Sequence, residues 1–535
     1  MGKLERRILT KHWGFNTLTI IAIFVYMGLH TWIQLELISL FDAVLKGEVA
    51  IFLQKIAWLL GFMILFCIAQ FVSQTMIAKA IEKMNRALRL QMNRNLANLS
   101  HQAFYEEEVG TYVSWQTNDV AQIEEASFER VFDLFSYGAT CLFTCLALYS
   151  IHYGLLLTAI FSVIVLSFSP MLLKNRMQQN AIHLSKSQET FTAQIKDTLC
   201  GFGVMKNYNL MSLFFEKLQQ AGNQVEREKF KFAYRNQKYL FIIMLLNFLA
   251  QMACVLVGAT LAIFQLISAA TVVSLGTISG QFCNAASGFV TTLMSLGAGR
   301  AVIAKFDVEE EPLTGCPLEQ FEDAIELEDL AYDYDGTEIF SDVNLSFEKG
   351  KKYAIVGPSG CGKSTILKII MRDLEDFSGN VTIDGKDIKA YHPNSIYDHV
   401  AYISQETYLF DATIKDNITL FKGDCDEARL ANVLEDSALG HEEIILERMN
   451  ETVGEGGKNL SGGQRQRIAI ARALFNQKSV IIMDEGTSAL DVENAKLIEE
   501  KLLTNKNLTV ILVTHHMNDD LKDLFDEVYE MGATA

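Results

Sequence analysis

The sequence predicts two halves of different physical character: a polytopic α-helical membrane domain, then an α/β domain with a phosphate-binding loop. Three observations predict it. Six long apolar stretches lie between residues 15 and 297, and short β-like runs take over after about residue 322. Within those runs stands Gly357-Pro358-Ser359-Gly360-Cys361-Gly362-Lys363-Ser364-Thr365. At 535 residues the chain is also too long for one compact domain.

A membrane helix needs about 20 mostly apolar residues. The stretches at roughly 15–40, 51–77, 131–152, 153–176, 239–266 and 270–297 meet that need. Their connections alternate. Those at 41–50, 152–153 and 267–269 are short, whereas 78–130 and 177–238 are long, polar and patterned as helices that run on past the bilayer. Lysine and arginine choose the orientation. Lys3, Arg6, Arg7 and Lys11 precede the first stretch, and both long links are basic, from Lys79 to Arg130 and from Lys174 to Lys238. Among the short links only the first is basic, at Lys46. Both termini and the long links are therefore expected in the cytoplasm, the chain lying in a bacterial cell membrane. A soluble helical bundle would not sort its basic residues by alternate loops. A short helix is expected at the tip of each long link, near Val109–Val120 and near Gly201–Asn209.

Composition removes several classes. The net charge of −18 belongs mostly to the second half, which argues against nucleic acid as a partner. Nine scattered cysteines without a Cys-x-x-Cys pair give neither a disulfide framework nor a zinc site. The first apolar stretch is too long for a cleaved signal peptide. Polar residues inside the stretches are His30, Gln34, Glu36, Gln70, Asp133, Asn247, Gln251, Gln281 and Asn284. Ionisable groups at membrane depth are candidates for substrate contact. Hydrogen bonding between helices is the other reading, and both stay open.

An acidic run, Glu309-Glu310-Glu311-Pro312, separates the halves. The expected boundaries are 1–305 for the membrane domain, 306–321 for the linker and 322–535 for the nucleotide-binding domain. Runs at Ile325–Leu330, Tyr353–Val356, Val400–Ile403, Val480–Met483 and Leu508–Val513 read as strands alternating with helical segments. The glycine loop follows one such strand and opens a helix, the context a phosphate-binding loop requires. Its glycines let backbone N–H groups curl around phosphate oxygens at a helix N-terminus. Lys363 adds a point charge at the β- and γ-phosphates, and Ser364 a hydroxyl for Mg²⁺. Cys361 sits in the loop without a specific role. The strand at Val480 ends in Asp484-Glu485, one acid for Mg²⁺ and one for the attacking water. Leu460-Ser461-Gly462-Gly463-Gln464 opens a further helix, with Ser461 as N-cap and glycine amides left open. One phosphate needs no second cradle on the same chain, so this one is expected to face the nucleotide of another subunit.

These motifs resemble the ATP-binding cassette (ABC) transporter family, in particular a half-transporter of the exporter fold. The resemblance covers nearly the whole chain. It implies a polytopic membrane domain of six transmembrane helices followed by an α/β P-loop ATP-binding cassette domain. It also implies a dimer with two ATP molecules sandwiched between cassettes, each held by one P-loop and by the partner's Leu-Ser-Gly-Gly-Gln run. Tyr334, with Tyr332 as fallback, resembles the aromatic that stacks on adenine. Gln405 resembles the glutamine that senses Mg²⁺ and the attacking water, Ser488-Ala489-Leu490-Asp491 the loop joining the two sites, and His515 the switch histidine at the γ-phosphate. Thr452–Gly457, Gly110–Asp119 and Gly201–Asn209 resemble the contact and coupling regions. Gly486 departs from the proline or alanine usual after the glutamate, and His516 from an arginine. The chain ends soon after Val528–Gly532, where the family continues. The few residues before the first span leave no room for a peptidase domain.

The implied activity is ATP-driven export of a hydrophobic or amphipathic compound, lipid or peptide, coupled to ATP hydrolysis. All nucleotide motifs being intact, a homodimer is favoured over a heterodimer. The alternatives are the same fold working inward, for example on a metal chelate, and a membrane-tethered ATPase without transport.

Overall fold

A computed structural model describes residues 3–304, 306, 315–334, 336–405, 407–423, 426–440, 447–487, 490, 492–514 and 519–532. By contacts the chain divides into two units: Met1–Asn95 with Val109–Glu309, and Leu96–Glu108 with Glu310–Ala535.

In the first unit, each predicted apolar stretch lies in its own long helix: Trp13–Lys46, Val49–Ala97, Glu129–Ile151, Tyr153–Cys200, Met211–Ile263 and Ala269–Ala304. In chain order these are the first to sixth long helices. Four of the described helical runs are long and apolar enough to cross a membrane: Trp13–Lys46, Val49–Ala97, Val109–Ile151 and Met211–Ile263. The sixth long helix carries Ser274, Thr277, Ser279, Gln281 and Asn284 among its apolar residues. Close packing there relies on small residues. A Cβ at Gly258 would lie 2.1 Å from Leu275 Cδ1, and one at Gly288 would lie 2.6 Å from the Tyr137 ring. The first helix stops at Gly47, whose φ of 73° lets its N–H turn back to the carbonyls of Ala43 and Val44.

The long links differ from expectation at one place. The second carries a short helix at Phe202–Asn207, within the predicted span. The first carries its short helix at His101–Tyr105, ahead of residues 109–120. Ser100 starts it by accepting a hydrogen bond from the Ala103 N–H at 3.2 Å. Residues 109–120 instead begin the helical run to Ile151, which is interrupted by π turns at Trp115–Asp119 and Glu124–Phe128.

The second unit contains two sheets. The strands are β1 (Ala324–Tyr334), β2 (Thr337–Glu348), β3 (Lys352–Val356), β4 (Ser378–Ile383), β5 (Lys386–Asp387), β6 (Val400–Ile403), β7 (Val480–Asp484), β8 (Thr509–Thr514) and β9 (Glu527–Glu530). One sheet is parallel with order β6-β7-β8-β3-β9, and the other is antiparallel with order β2-β1-β4-β5. Parallel strands covered on both faces read as unbroken apolar runs, which is why β3, β6, β7 and β8 were predictable. β2 was not, because its pairing with β1 shifts register at several points and the polar-apolar alternation is lost.

Three aromatic side chains tie the sheets together. Phe347 of β2 meets Tyr353 of β3 and Tyr529 of β9 edge-on at centroid distances of 5.1 and 5.8 Å, and the two tyrosines stack at 6.0 Å. The Tyr529 hydroxyl donates to the Ser346 carbonyl at 2.8 Å, and the Tyr353 hydroxyl accepts from the Glu348 N–H at 2.8 Å. Phe347 is fully buried. Phe347→Ala is expected to cost the cassette about 3–5 kcal/mol, and Tyr529→Phe about 1 kcal/mol. Calorimetric unfolding of the purified protein measures both, and the order of the two effects is the test.

Candidate nucleotide-binding site

The parallel sheet gathers the predicted residues at one edge. Val356 pairs with Thr514, Asp484 with Val513, and Ile403 with Met483. The C-terminal ends of β3, β8, β7 and β6 are therefore aligned side by side. The glycine loop leaves β3, Asp484 and Glu485 end β7, and Gln405 lies two residues beyond β6. In such sheets the groove outside the carboxyl ends is where ligands bind.

The loop closes on the helix Lys363–Ile370, whose N-cap Gly362 has φ 90°. Only glycine fits there. A Cβ would enter left-handed space and lie 2.5 Å from the Phe340 ring. Gly360 also has positive φ, 86°. Lys363 is buried, and its Nζ donates to the carbonyls of Gly357 and Pro358, both at 2.8 Å. Cys361 is buried beside it, with Sγ 3.8 Å from Nζ. Ser364 is exposed, while Ser359 lies in the loop and Thr365 is the third residue of the helix that follows.

Asp484 is buried and accepts a hydrogen bond from the Tyr402 hydroxyl at 3.0 Å. Burial pushes the Tyr402 hydroxyl well above its usual range, with the Asp484 carboxylate adding to the effect. Tyr402 therefore stays protonated and fixes one carboxylate oxygen. The sequence reading gave Tyr402 no role. Its place in β6, directly beside β7, is the signal that could have revealed it. Glu485 accepts from Gln405 Nε2 at 2.9 Å, and its own N–H donates to the Val513 carbonyl at 3.1 Å. Its φ is 52°, a left-handed conformation that costs a non-glycine residue about 1–3 kcal/mol and concentrates at functional sites.

Ser461 caps the helix Gly462–Phe475 in a full capping box. Its Oγ accepts from the Gln464 N–H at 3.2 Å, while its own N–H donates to Gln464 Oε1 at 3.0 Å. This arrangement makes no use of the Gly462 and Gly463 amides, which sit at the positive end of the helix dipole. Tyr334, at the end of β1, is 66% exposed, whereas Tyr332 stacks on Phe340 at 6.3 Å. Of the two, Tyr334 has a face to offer. His515, His516, Ser488, Ala489 and Asp491 lie outside the described residues.

A P-loop at one strand end, an acid pair two strands away at the same edge and a glutamine bonded to the second acid define a nucleoside triphosphatase, here joined to a helical membrane domain. The chain belongs to the ABC transporter family. The family model described as the ABC transporter transmembrane region matches residues 13–286, and the one described as ABC transporter matches residues 340–488. Among curated relatives, the ATP-dependent lipid A-core flippase of Desulfotalea psychrophila is 27% identical over 500 residues, covering 88% of this chain and 85% of that protein. The flippase of the same name from Vibrio vulnificus is 26% identical, covering 86% and 80%. A solved bacterial Atm1-family ABC exporter with ATP bound superposes with a TM-score of 0.79 at 18% identity, over 98% of this chain and 95% of that one. The fold is thus that of an exporter-type half-transporter, and the protein is an integral membrane transporter that couples ATP hydrolysis to transport.

Two substitutions separate binding from turnover. Glu485→Gln keeps the acceptor for Gln405 but removes the basic oxygen. Expected is retained ATP binding with hydrolysis slowed about 10²–10⁴-fold, read by nucleotide binding and phosphate release on one preparation. Lys363→Ala removes the buried cation from the loop and is expected to weaken ATP binding by at least about tenfold, read by equilibrium titration.

Proposed function

We propose that two copies of this chain form an exporter of amphipathic, lipid-like compounds. ATP is clamped between the P-loop of one cassette and the Ser461 helix end of the other. The observation that carries the reading is the pairing of Gln405 with a left-handed Glu485 at the same sheet edge as the P-loop. An acid whose backbone is in a costly conformation and whose carboxylate is aimed by a glutamine is suited to orienting water for hydrolysis.

In this reading Tyr334 stacks on adenine, and the glycine loop and Lys363 hold the phosphates. Glu485 polarises the attacking water with Gln405 keeping it in place, and His515 contacts the γ-phosphate. Ser364 and Asp484 offer the hard oxygen donors that suit Mg²⁺. Bound there, the ion would supply neutralisation of phosphate charge. Amides of Gly462 and Gly463 complete the sandwich, with Ser461 and Gln464 holding that helix end in shape. A homodimer has two such complete sites. The short helices His101–Tyr105 and Phe202–Asn207 pass cassette closure to the long helices. Apolar exposure of Phe202 and Val204 favours a docking role for the second of them. Basic residues on the long links support a cytoplasmic position for both termini, in a bacterial cell membrane. The names of the flippase relatives support an amphipathic lipid-like cargo.

Inside-out vesicles carrying the protein are expected to accumulate a labelled amphiphile only with ATP, and not with Glu485→Gln. ATP-dependent loss from those vesicles, with uptake by intact cells, would reverse the direction to import.

A further inference from the structure

Within the membrane domain, a cavity of ≈ 640 Å³ lies between the first, second, third and sixth long helices. The third helix supplies one wall: Glu129, Phe132, Asp133, Ser136, Tyr137 and Thr140 all line it. Their spacing after Glu129, at three, four, seven, eight and eleven residues, is one stripe of a helix. The π turn Glu124–Phe128 ends one residue before that stripe begins, a distortion that recurs at functional sites.

The charge in this cavity is one-sided. Glu129 and Asp133 line it, and no lysine or arginine does among the described residues. Arg130 Nη1 binds Asp133 Oδ2 at 3.2 Å. Glu129 makes no ion pair among the described residues. Glu129 is exposed, and without an ion-pair partner it gives this roomy, partly apolar space a negative charge that an organic cation would answer.

Polarity also changes along the cavity. At one end Glu129 also borders an adjoining pocket that is lined by Asn85, Glu124, Arg86 and Arg89. At the other end His30 stacks on Phe66 at 5.0 Å, with Nδ1 2.6 Å from Gln281 Nε2. Gln281 Oε1 is buried there without a hydrogen-bond partner. The rings of Tyr26, Phe66 and Tyr137 stand along the wall between, where they offer apolar surface and a π-face to a cation.

We propose that this cavity is a binding site for an amphipathic organic cation, its charge at Glu129 and its apolar body along Phe66 and Tyr137. The inference rests on the export reading for the transport step after binding, and adds the charge class of the cargo. An anionic lipid headgroup would meet Glu129 with repulsion.

The test uses the full chain in phosphatidylcholine nanodiscs and two probes of nearly equal shape and opposite charge, tetraphenylphosphonium and tetraphenylborate. Saturable binding of the phosphonium alone is expected. Glu129→Gln is expected to weaken it about tenfold, and Glu129→Asp, which keeps the charge, to retain most of it. The Asp variant also guards against mere misfolding. Equal binding of both probes, or phosphonium binding unchanged by Glu129→Gln, overturns the inference. If vesicles accumulate a neutral or anionic amphiphile with ATP while the phosphonium fails to bind, the inference falls and the export reading stands. If no amphiphile of any charge is accumulated or bound, both fall.

Discussion

The chemistry of the second half depends on the register of its parallel strands. Because β6, β7, β8 and β3 end level with one another, the stretches after β6, β7 and β3 deliver Gln405, the acid pair and the glycine loop to one edge. A slip of one residue in β7 would swap Asp484 and Glu485 between the two faces of the sheet. That register is protected by burial. Every residue of β7 is buried, as are the four residues Lys352–Ile355 of β3. The aromatic cluster of Phe347, Tyr353 and Tyr529 then fixes the antiparallel sheet to the parallel one, so the strand that presents Tyr334 is held to the strand that leads into the phosphate loop.

The membrane half is governed by a different constraint. Lipid gives apolar helices no reason to associate beyond close packing and hydrogen bonds. Small residues therefore set the contacts, as at Gly258 against Leu275 and Gly288 against Tyr137. Polar side chains meet where helices face each other, as in Asn247 Nδ2 to Asn284 Oδ1 at 2.9 Å and Gln251 Nε2 to the Gly276 carbonyl at 2.6 Å. Those two pairs are interhelical glue. Glu129 differs from them in carrying a charge into a cavity with no basic lining residue among the described residues, which is why it is proposed as a site rather than a joint.

Groups whose role is dictated by the backbone were legible in the sequence. Gly362 must be glycine to cap its helix, Ser461 must precede two glycines to leave amides open, and an acid pair must follow a buried strand. Groups that act through tertiary contact were not. Tyr402 reaches Asp484 only because β6 pairs with β7, and β2 hides behind shifts of register. The helix His101–Tyr105 is too short for periodicity, and only its Ser100 cap betrays it. Asp133 was visible as a polar residue in an apolar stretch, yet Glu129 was not. It stands just ahead of the point where hydropathy begins to rise, and a helix stripe does not respect that edge.

The handedness of the backbone at Glu485 bears on how this protein can drift. Glycine would sit in that conformation without strain, so a population selected only for robustness would tend to lose the acid and gain a sturdier, silent cassette. On the role proposed for Glu485, that gain in sturdiness would be set against turnover, the trade-off that a strained site residue carries.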